Sequence, residues 1–131
     1  MKYLLDANVV VALLRQTDPA LMRRLRRLDP ADVAISAIVS HELYYGAFRS
    51  ARPAHNVALV DGLQFQILDF DREDARHSGE IRAILASRGT PVGPFDVLIA
   101  GQARARKLML ATQNIRGFSR VPGLRIENWL S

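Results

Sequence analysis

The chain has 131 residues, of which 49% are hydrophobic, so its composition is that of a globular protein with a buried core. Eighteen basic and thirteen acidic residues give a net charge of +5, which suits a polyanionic partner such as nucleic acid without requiring one. The lack of cysteine excludes disulfides and thiolate metal sites. The first residues, MKYLLDA, lack the pattern of a secretory signal, and we expect a cytoplasmic location.

Short strands and helices alternate along the whole chain. Strands are predicted at 2–6, 32–36, 65–70, 108–112 and 125–129. Helices are predicted to begin at Asn8, after Pro19, at Ser36 or Ser40, at Pro53, at Asp71 and at Phe95 or Asp96. The helix after Asp71 is predicted to place Ala75, Ser78, Ile81 and Leu85 on one face and to stop at Gly89. The alternation predicts a single α/β domain over residues 1–131 with a largely parallel sheet.

Three acidic residues occupy positions where the pattern favours apolar ones. Asp6 interrupts the apolar segment YLLDANVVVALL, which is too short to span a membrane because a span needs about 20 mostly apolar residues. Glu42 lies on a helical stripe with Val39 and Leu43. Asp96 lies between a turn-rich GP and the apolar VLIA. A carboxylate in such a segment needs protonation, a partner or a metal ion, because an unpaired buried charge is costly.

Local explanations for these acids remain open at this stage. Asp6, Asn8 and Asp96 have the side chains of ordinary helix N-caps, and Glu42 could reach solvent from the edge of its stripe. If the three acids meet, their repulsion raises their pKa values unless a cation is present. Oxygen ligands without cysteine or paired histidines favour Mg²⁺ or Mn²⁺, and such an ion in a basic protein indicates phosphodiester chemistry.

The three histidines, His41, His55 and His77, lie on separate predicted elements, and we expect surface or structural roles for them. The arginines of LMRRLRRL, between residues 21 and 28, are expected to form a solvated helix face.

Four blocks in order, DANVVVALL, SAIVSHELYYGA, GTPVGPFDVLIAGQA and ATQNIRGFSRVPGLRIENW, resemble the VapC group of PIN-domain ribonucleases over nearly the whole chain. The resemblance implies a three-layer α/β/α PIN-like domain with a central, mostly parallel five-stranded sheet, usually dimeric. It implies a Mg²⁺-dependent endoribonuclease that acts as a toxin and is restrained by a cognate antitoxin protein. The implied substrate is structured RNA, with tRNA, and the anticodon loop of initiator tRNA in particular, as the narrower expectation.

The resemblance also assigns site residues. Asp6, Glu42 and Asp96 match the first three acids of the family, with Asp6 and Asp96 as metal ligands and Glu42 as a ligand or a base. Thr112 matches the hydroxyl that orients the site, and Asn114 stands where many PIN domains carry a fourth acid.

One position departs from the family pattern. Relatives commonly carry Asp or Glu immediately before the aromatic residue, here Phe118, whereas this chain has Gly117. Together with Asn114, this glycine predicts a site that holds one metal ion firmly and a second only with the substrate phosphate.

Three other functions compete with the ribonuclease. A haloacid-dehalogenase-type phosphatase is disfavoured because it needs a second Asp two residues after the first, where this chain has Asn8. A DNA-directed nuclease of the same fold would use the same acids. A non-catalytic nucleic-acid-binding module would instead use Arg23, Arg24, Arg26 and Arg27 or the segment ARARK at 103–107.

Overall fold

The structure is a computed structural model that describes residues 1–131. Its five strands are β1 (Tyr3–Leu5), β2 (Val33–Ser36), β3 (Gln66–Leu68), β4 (Met109–Ala111) and β5 (Ile126–Glu127). Its seven α-helices are α1 (Ala7–Arg15), α2 (Pro19–Arg27), α3 (Ala37–Arg49), α4 (Pro53–Asp61), α5 (Arg72–Ser87), α6 (Pro94–Ala105) and α7 (Ile115–Phe118). The predicted alternation of strands and helices is therefore confirmed.

The strands form one parallel five-stranded sheet, as expected, and their order is β3-β2-β1-β4-β5. The chain runs outward from β1 to β3 and returns to β4 on the other side of β1, so the strand order reverses between these two neighbours. Ligands bind at such a point in open α/β sheets. Leu5 aligns with Ala111, so Asp6 and Thr112 leave the sheet side by side.

Most of the residues predicted to begin or end helices do so in the structure. Ser36 caps α3 by accepting a hydrogen bond from the Ile38 N–H at 3.0 Å. Pro53 is the first residue of α4. Asp71 caps α5, and Gly89, with φ of +67°, follows the end of that helix.

Two helix starts differ from the prediction. Asp6, not Asn8, is the N-cap of α1, and Asn8 lies in the first turn. Helix α6 begins at Pro94, so Asp96 lies inside its first turn and is not an N-cap. The cause is Pro94, whose fixed φ and missing N–H suit the first helical position.

The strands are shorter than predicted because buried apolar residues extend beyond the paired backbone. Leu108 precedes β4 and Trp129 follows β5, and both are buried without belonging to a strand. They join a core of 25 buried hydrophobic residues between the sheet and the flanking helices. None of the helices combines the length and apolar character that a membrane crossing requires.

Helices α5 and α6 pack closely because α6 carries Gly101 at the contact. A Cβ at this position would lie 1.9 Å from the Ser78 Oγ and 2.5 Å from the Ser78 backbone N. The buried face of α5 contains Asp74 with Ser78, Ile81 and Leu85, whereas the predicted member Ala75 is exposed. A tertiary partner overrides the local pattern here, because Asp74 is paired with residues from α6 and the segment after it.

We call that pairing the Arg106 network, formed by Asp74, Gln102 and Arg106. Arg106 donates to both carboxylate oxygens of Asp74, from Nε at 3.2 Å and from Nη2 at 2.9 Å. Gln102 Nε2 donates to Asp74 Oδ2 at 2.9 Å and to the backbone oxygen of Asp69 at 3.0 Å. The network holds the start of α5 against the end of α6.

Candidate active site

The fold brings Asp6, Glu42 and Asp96 close enough for their charges to interact, and we call these three residues the acid site. Burial, together with the charges of Asp6 and Asp96, raises the pKa of Glu42 from 4.5 to about 7. Burial and the charge of Asp6 likewise raise the pKa of Asp96. The three carboxylates come from the end of β1, from α3 and from α6, so the tertiary fold assembles the site.

Asp6 is held by hydrogen bonds on both of its carboxylate oxygens. Its Oδ1 accepts from the Ala7 N–H at 2.8 Å, which caps α1. Its Oδ2 accepts from Thr112 Oγ1 at 2.7 Å and from Asn8 Nδ2 at 3.3 Å. Burial nevertheless raises the pKa of Asp6, although these hydrogen bonds lower it. The capping and site interpretations of Asp6 are therefore compatible, since different oxygens serve them.

Thr112 links Asp6 to the segment that follows β4. Its buried hydroxyl donates to Asp6 and accepts from the Asn114 N–H at 3.0 Å. The side chain of Asn8 adds a second link, since its Oδ1 accepts from the Gln113 N–H at 3.3 Å. Sequence reasoning treated Asn8 as a cap and missed this bridging role, because the bond joins residues at opposite ends of the chain.

Asn114 reaches the acid site from the start of α7. Its Nδ2 lies 3.5 Å from Asp96 Oδ2, and its Oδ1 accepts from the Gly117 N–H at 3.1 Å, which caps the short helix. A Cβ at residue 117 would lie 2.6 Å from Asn114 Nδ2. Gly117 therefore leaves room for the amide to fold back over α7 and face Asp96.

No positively charged side chain of the protein forms an ion pair with the carboxylates of the acid site. None of the six ion pairs of the structure includes Asp6, Glu42 or Asp96. Glu42 Oε1 is also buried without a hydrogen-bond partner. Since carboxylate oxygens are the ligands that Mg²⁺ and Mn²⁺ prefer, the residues present fit a divalent cation.

The carboxylates do not form a closed cage as they stand. No three acidic or histidine side chains are arranged closely enough to enclose a metal ion. An ion at the acid site therefore requires either an inward movement of the side chains or contacts through water, which Mg²⁺ usually retains.

None of the histidines makes a hydrogen bond or an ion pair with the three carboxylates. His77 Nδ1 accepts from Arg104 Nε at 2.9 Å, and His55 is exposed on α4. His41 is exposed, and its ring centroid lies 5.6 Å from that of Phe95. No local sequence pattern indicates this ring pair, because the two residues belong to different helices.

The basic segments have mixed roles. Arg23, Arg26 and Arg27 are exposed on α2, as expected for a solvated face, whereas Arg24 pairs with Glu127. In ARARK, Arg104 and Arg106 are engaged in ion pairs with acids of α5. The two arginines of ARARK thus hold the fold together and are not free for a ligand.

Known proteins resemble this chain over nearly its whole length. The family model "PIN domain" matches residues 3–124. The tRNA(fMet)-specific endonuclease VapC of Salmonella typhimurium is 43% identical over 131 residues, and 98% of each chain is covered. Ribonuclease VapC2 of Haemophilus influenzae is 36% identical, with 99% of each covered. In the crystal structure of DNA-bound VapBC from Salmonella typhimurium, a chain that is 42% identical superposes with a TM-score of 0.93, with 98% of each chain covered. The chain therefore belongs to the PIN-domain family and, within it, to the VapC group of ribonucleases.

Proposed function

We propose that this chain, as one nuclease domain over residues 1–131, is an endoribonuclease toxin that cleaves structured RNA with a divalent cation at the acid site. The observation that carries the proposal is the convergence of Asp6, Glu42 and Asp96 without any internal positive charge. The similar proteins named as endonucleases and ribonucleases support the reaction class.

The residues of the acid site have separate roles in this proposal. Asp6 and Asp96 hold Mg²⁺ or Mn²⁺, which supplies Lewis acidity for phosphodiester hydrolysis when bound. Thr112 fixes the direction of Asp6, and Asn114 does the same for Asp96. Glu42 either completes the ligand set or accepts a proton from the attacking water, as its buried oxygen without a hydrogen-bond partner is free for either role.

The substrate proposal is RNA with an exposed loop, and tRNA in particular. The net charge of +5 favours association with a polyanion, and the exposed arginines of α2 are available for phosphates. Loops suit the site because side chains read unpaired bases more readily than the edges of an RNA duplex. The narrower choice of initiator tRNA rests on the relative that is named for it. We place the reaction in the cytoplasm.

We propose that an antitoxin covers the acid site. A groove of about 430 Å³ lies among α1, α3 and α4, and its lining includes Val11, Leu14, Leu43 and Leu59 together with Glu42. An apolar helix of the antitoxin fits this groove, and a basic side chain such as arginine fits the neighbouring carboxylates in place of the cation. A homodimer is the proposed state of the toxin.

The test is cleavage by the purified chain. Transcribed tRNAs and DNA oligonucleotides of the same sequence are incubated with Mg²⁺, and the product ends are sequenced. We expect RNA to be cut at one or a few sites and DNA to remain intact. Expression of the chain without its antitoxin should arrest growth. Selective cutting of DNA would establish the DNA-directed nuclease, and tight binding without cutting would establish the binding module.

A further inference from the structure

We propose that His41 and Phe95 form a stacking site for an unpaired RNA base next to the phosphate that is cut. The inference rests on the proposed ribonuclease function and adds the position of the base. Phe95 is one of the few large apolar side chains on the surface, with 42% of its area exposed, and His41 is exposed beside it.

The two rings lie beside each other but not flat against each other. Their centroids are 5.6 Å apart and their planes are inclined by 52°. Both side chains are exposed, and an exposed aromatic face is the surface on which single-stranded bases stack without regard to sequence. The pair is polar on the histidine side, which suits a nucleobase better than a purely apolar ligand.

The position of the rings relative to the carboxylates gives the pair its function. His41 directly precedes Glu42 on α3, and Phe95 directly precedes Asp96 on α6. The region where the two helices approach each other thus contains both the ring pair and the carboxylates that interact electrostatically. A nucleotide whose phosphate lies at the acid site therefore has its base, or that of its neighbour, within reach of the rings.

The occupant is a base of single-stranded RNA. Splayed loop bases commonly stack on Phe and His side chains when a protein recognises RNA. The basic charge of the protein brings the backbone near, and the ring pair then favours an unpaired segment over a duplex, whose bases are already stacked.

The test uses hairpin RNAs that carry one 2-aminopurine at successive loop positions. Binding is measured by fluorescence without divalent metal, and cleavage is measured separately with Mg²⁺. We expect quenching at one position for the wild-type chain, its loss in Phe95→Ala, and recovery in Phe95→Trp. In Phe95→Ala, the dissociation constant of the hairpin and the KM for its cleavage should each rise about tenfold. The value of kcat/KM should fall by the same factor, because the change lies in KM. The His41→Ala variant should give a smaller change in the same direction.

Phe48→Ala is the matched control, because Phe48 is 66% exposed on α3 without a ring partner, and it should change neither quenching nor KM. Equal quenching and KM in the wild-type and Phe95→Ala chains would overturn the stacking site while leaving the nuclease intact. Absence of RNA cleavage by a wild-type chain that still quenches would overturn the proposed function alone. Sedimentation provides the last readout: dissociation of a dimer by Phe95→Ala would make the ring pair a subunit contact and overturn the stacking site.

Discussion

The molecule places buried or half-buried acids in two regions that differ in what neutralises the acids. In the Arg106 network, Asp74 is buried but accepts hydrogen bonds from Arg106 and Gln102, and these bonds together with the one to the backbone of Asp71 lower its pKa against the effect of burial. In the acid site, burial and neighbouring carboxylates raise the pKa of Glu42 and Asp96, and no arginine or lysine compensates.

The difference separates a structural role from a functional one. A fold that buries a carboxylate for stability supplies its partner from the same chain, as Arg106 does for Asp74. Where a fold brings carboxylates together without an arginine or lysine, a bound cation from outside the chain must neutralise them. Such unpaired carboxylates are common at functional sites. The two regions therefore predict opposite responses to the loss of a charge.

The largest expected effect is on catalysis. Replacing Asp6→Asn keeps the shape and removes a charge that holds the cation, and electrostatic stabilisation of this kind is worth several kcal/mol. RNA cleavage should fall at least ~100-fold in a gel assay with the fold unchanged by circular dichroism, and the variant should no longer arrest growth. Glu73→Gln, an exposed acid of α5, is the matched control. Wild-type cleavage by Asp6→Asn would remove Asp6 from the reaction.

The next effect is on stability. Arg106→Met leaves the carboxylate of Asp74, which is 1% exposed, without its cation. We expect the free energy of unfolding in urea to fall by about 2 kcal/mol, less than for a fully buried pair because Arg106 is 29% exposed. Arg82→Met, which removes an exposed arginine outside every ion pair of α5, should change little. An unchanged stability in Arg106→Met would show that the network does not hold α5 to α6.

A smaller effect separates the two regions by pH. Glu42 binds its proton more tightly in the folded chain than in the unfolded one, so the metal-free protein should lose stability as the pH rises from 4.5 to about 7. The loss should be about 1 kcal/mol, since solvent screens a partly exposed group. Glu42→Gln should reduce this slope in a urea titration, and Asp6 and Asp96, whose pKa values are also raised, account for the remainder. Asp74 acts in the opposite sense, and its contribution should be lost only as the pH falls below its ordinary value of 3.8. A slope that is undiminished in Glu42→Gln would show that Glu42 does not contribute to it.

The smallest effect concerns the amide beside the acid site. Gly117→Ala places a Cβ 2.6 Å from Asn114 Nδ2 and should push the amide away from Asp96. Cleavage should fall about fivefold, the equivalent of one ordinary hydrogen bond. Gly79→Ala is the matched control, because no atom lies within 4 Å of a Cβ at that position. If both variants cleave equally well, the Asn114 amide has no part in positioning Asp96.

The sequence predicts those parts of the molecule that depend on local signals. Ser36, Pro53 and Asp71 begin helices as expected, because caps and prolines act through their nearest backbone groups. The strand order and the ring pair of His41 and Phe95 depend on how distant elements pack, and no local pattern records them.

The same distinction applies to the sites. The three acids were recognisable because each interrupts an apolar pattern and because their spacing resembles a known family. The Arg106 network was missed because Asp74 also satisfies a local rule, the capping box with Asp71, which hides its tertiary bonds to Gln102 and Arg106. The side-chain amide of Asn8 was misassigned for a similar reason, since Asp6 occupies the cap position.

The most direct measurement of the central claim is thermal unfolding at neutral pH with and without Mn²⁺. If the acid site binds a divalent cation, Mn²⁺ should raise the melting temperature of the wild-type chain by mass action. The melting temperature of Asp96→Asn should rise much less. The metal-free Asp96→Asn protein should be at least as stable as the wild type, since the substitution relieves repulsion. A wild-type chain unaffected by Mn²⁺, with an Asp96→Asn variant that is clearly destabilised without metal, would show that this carboxylate is structural and would contradict the account.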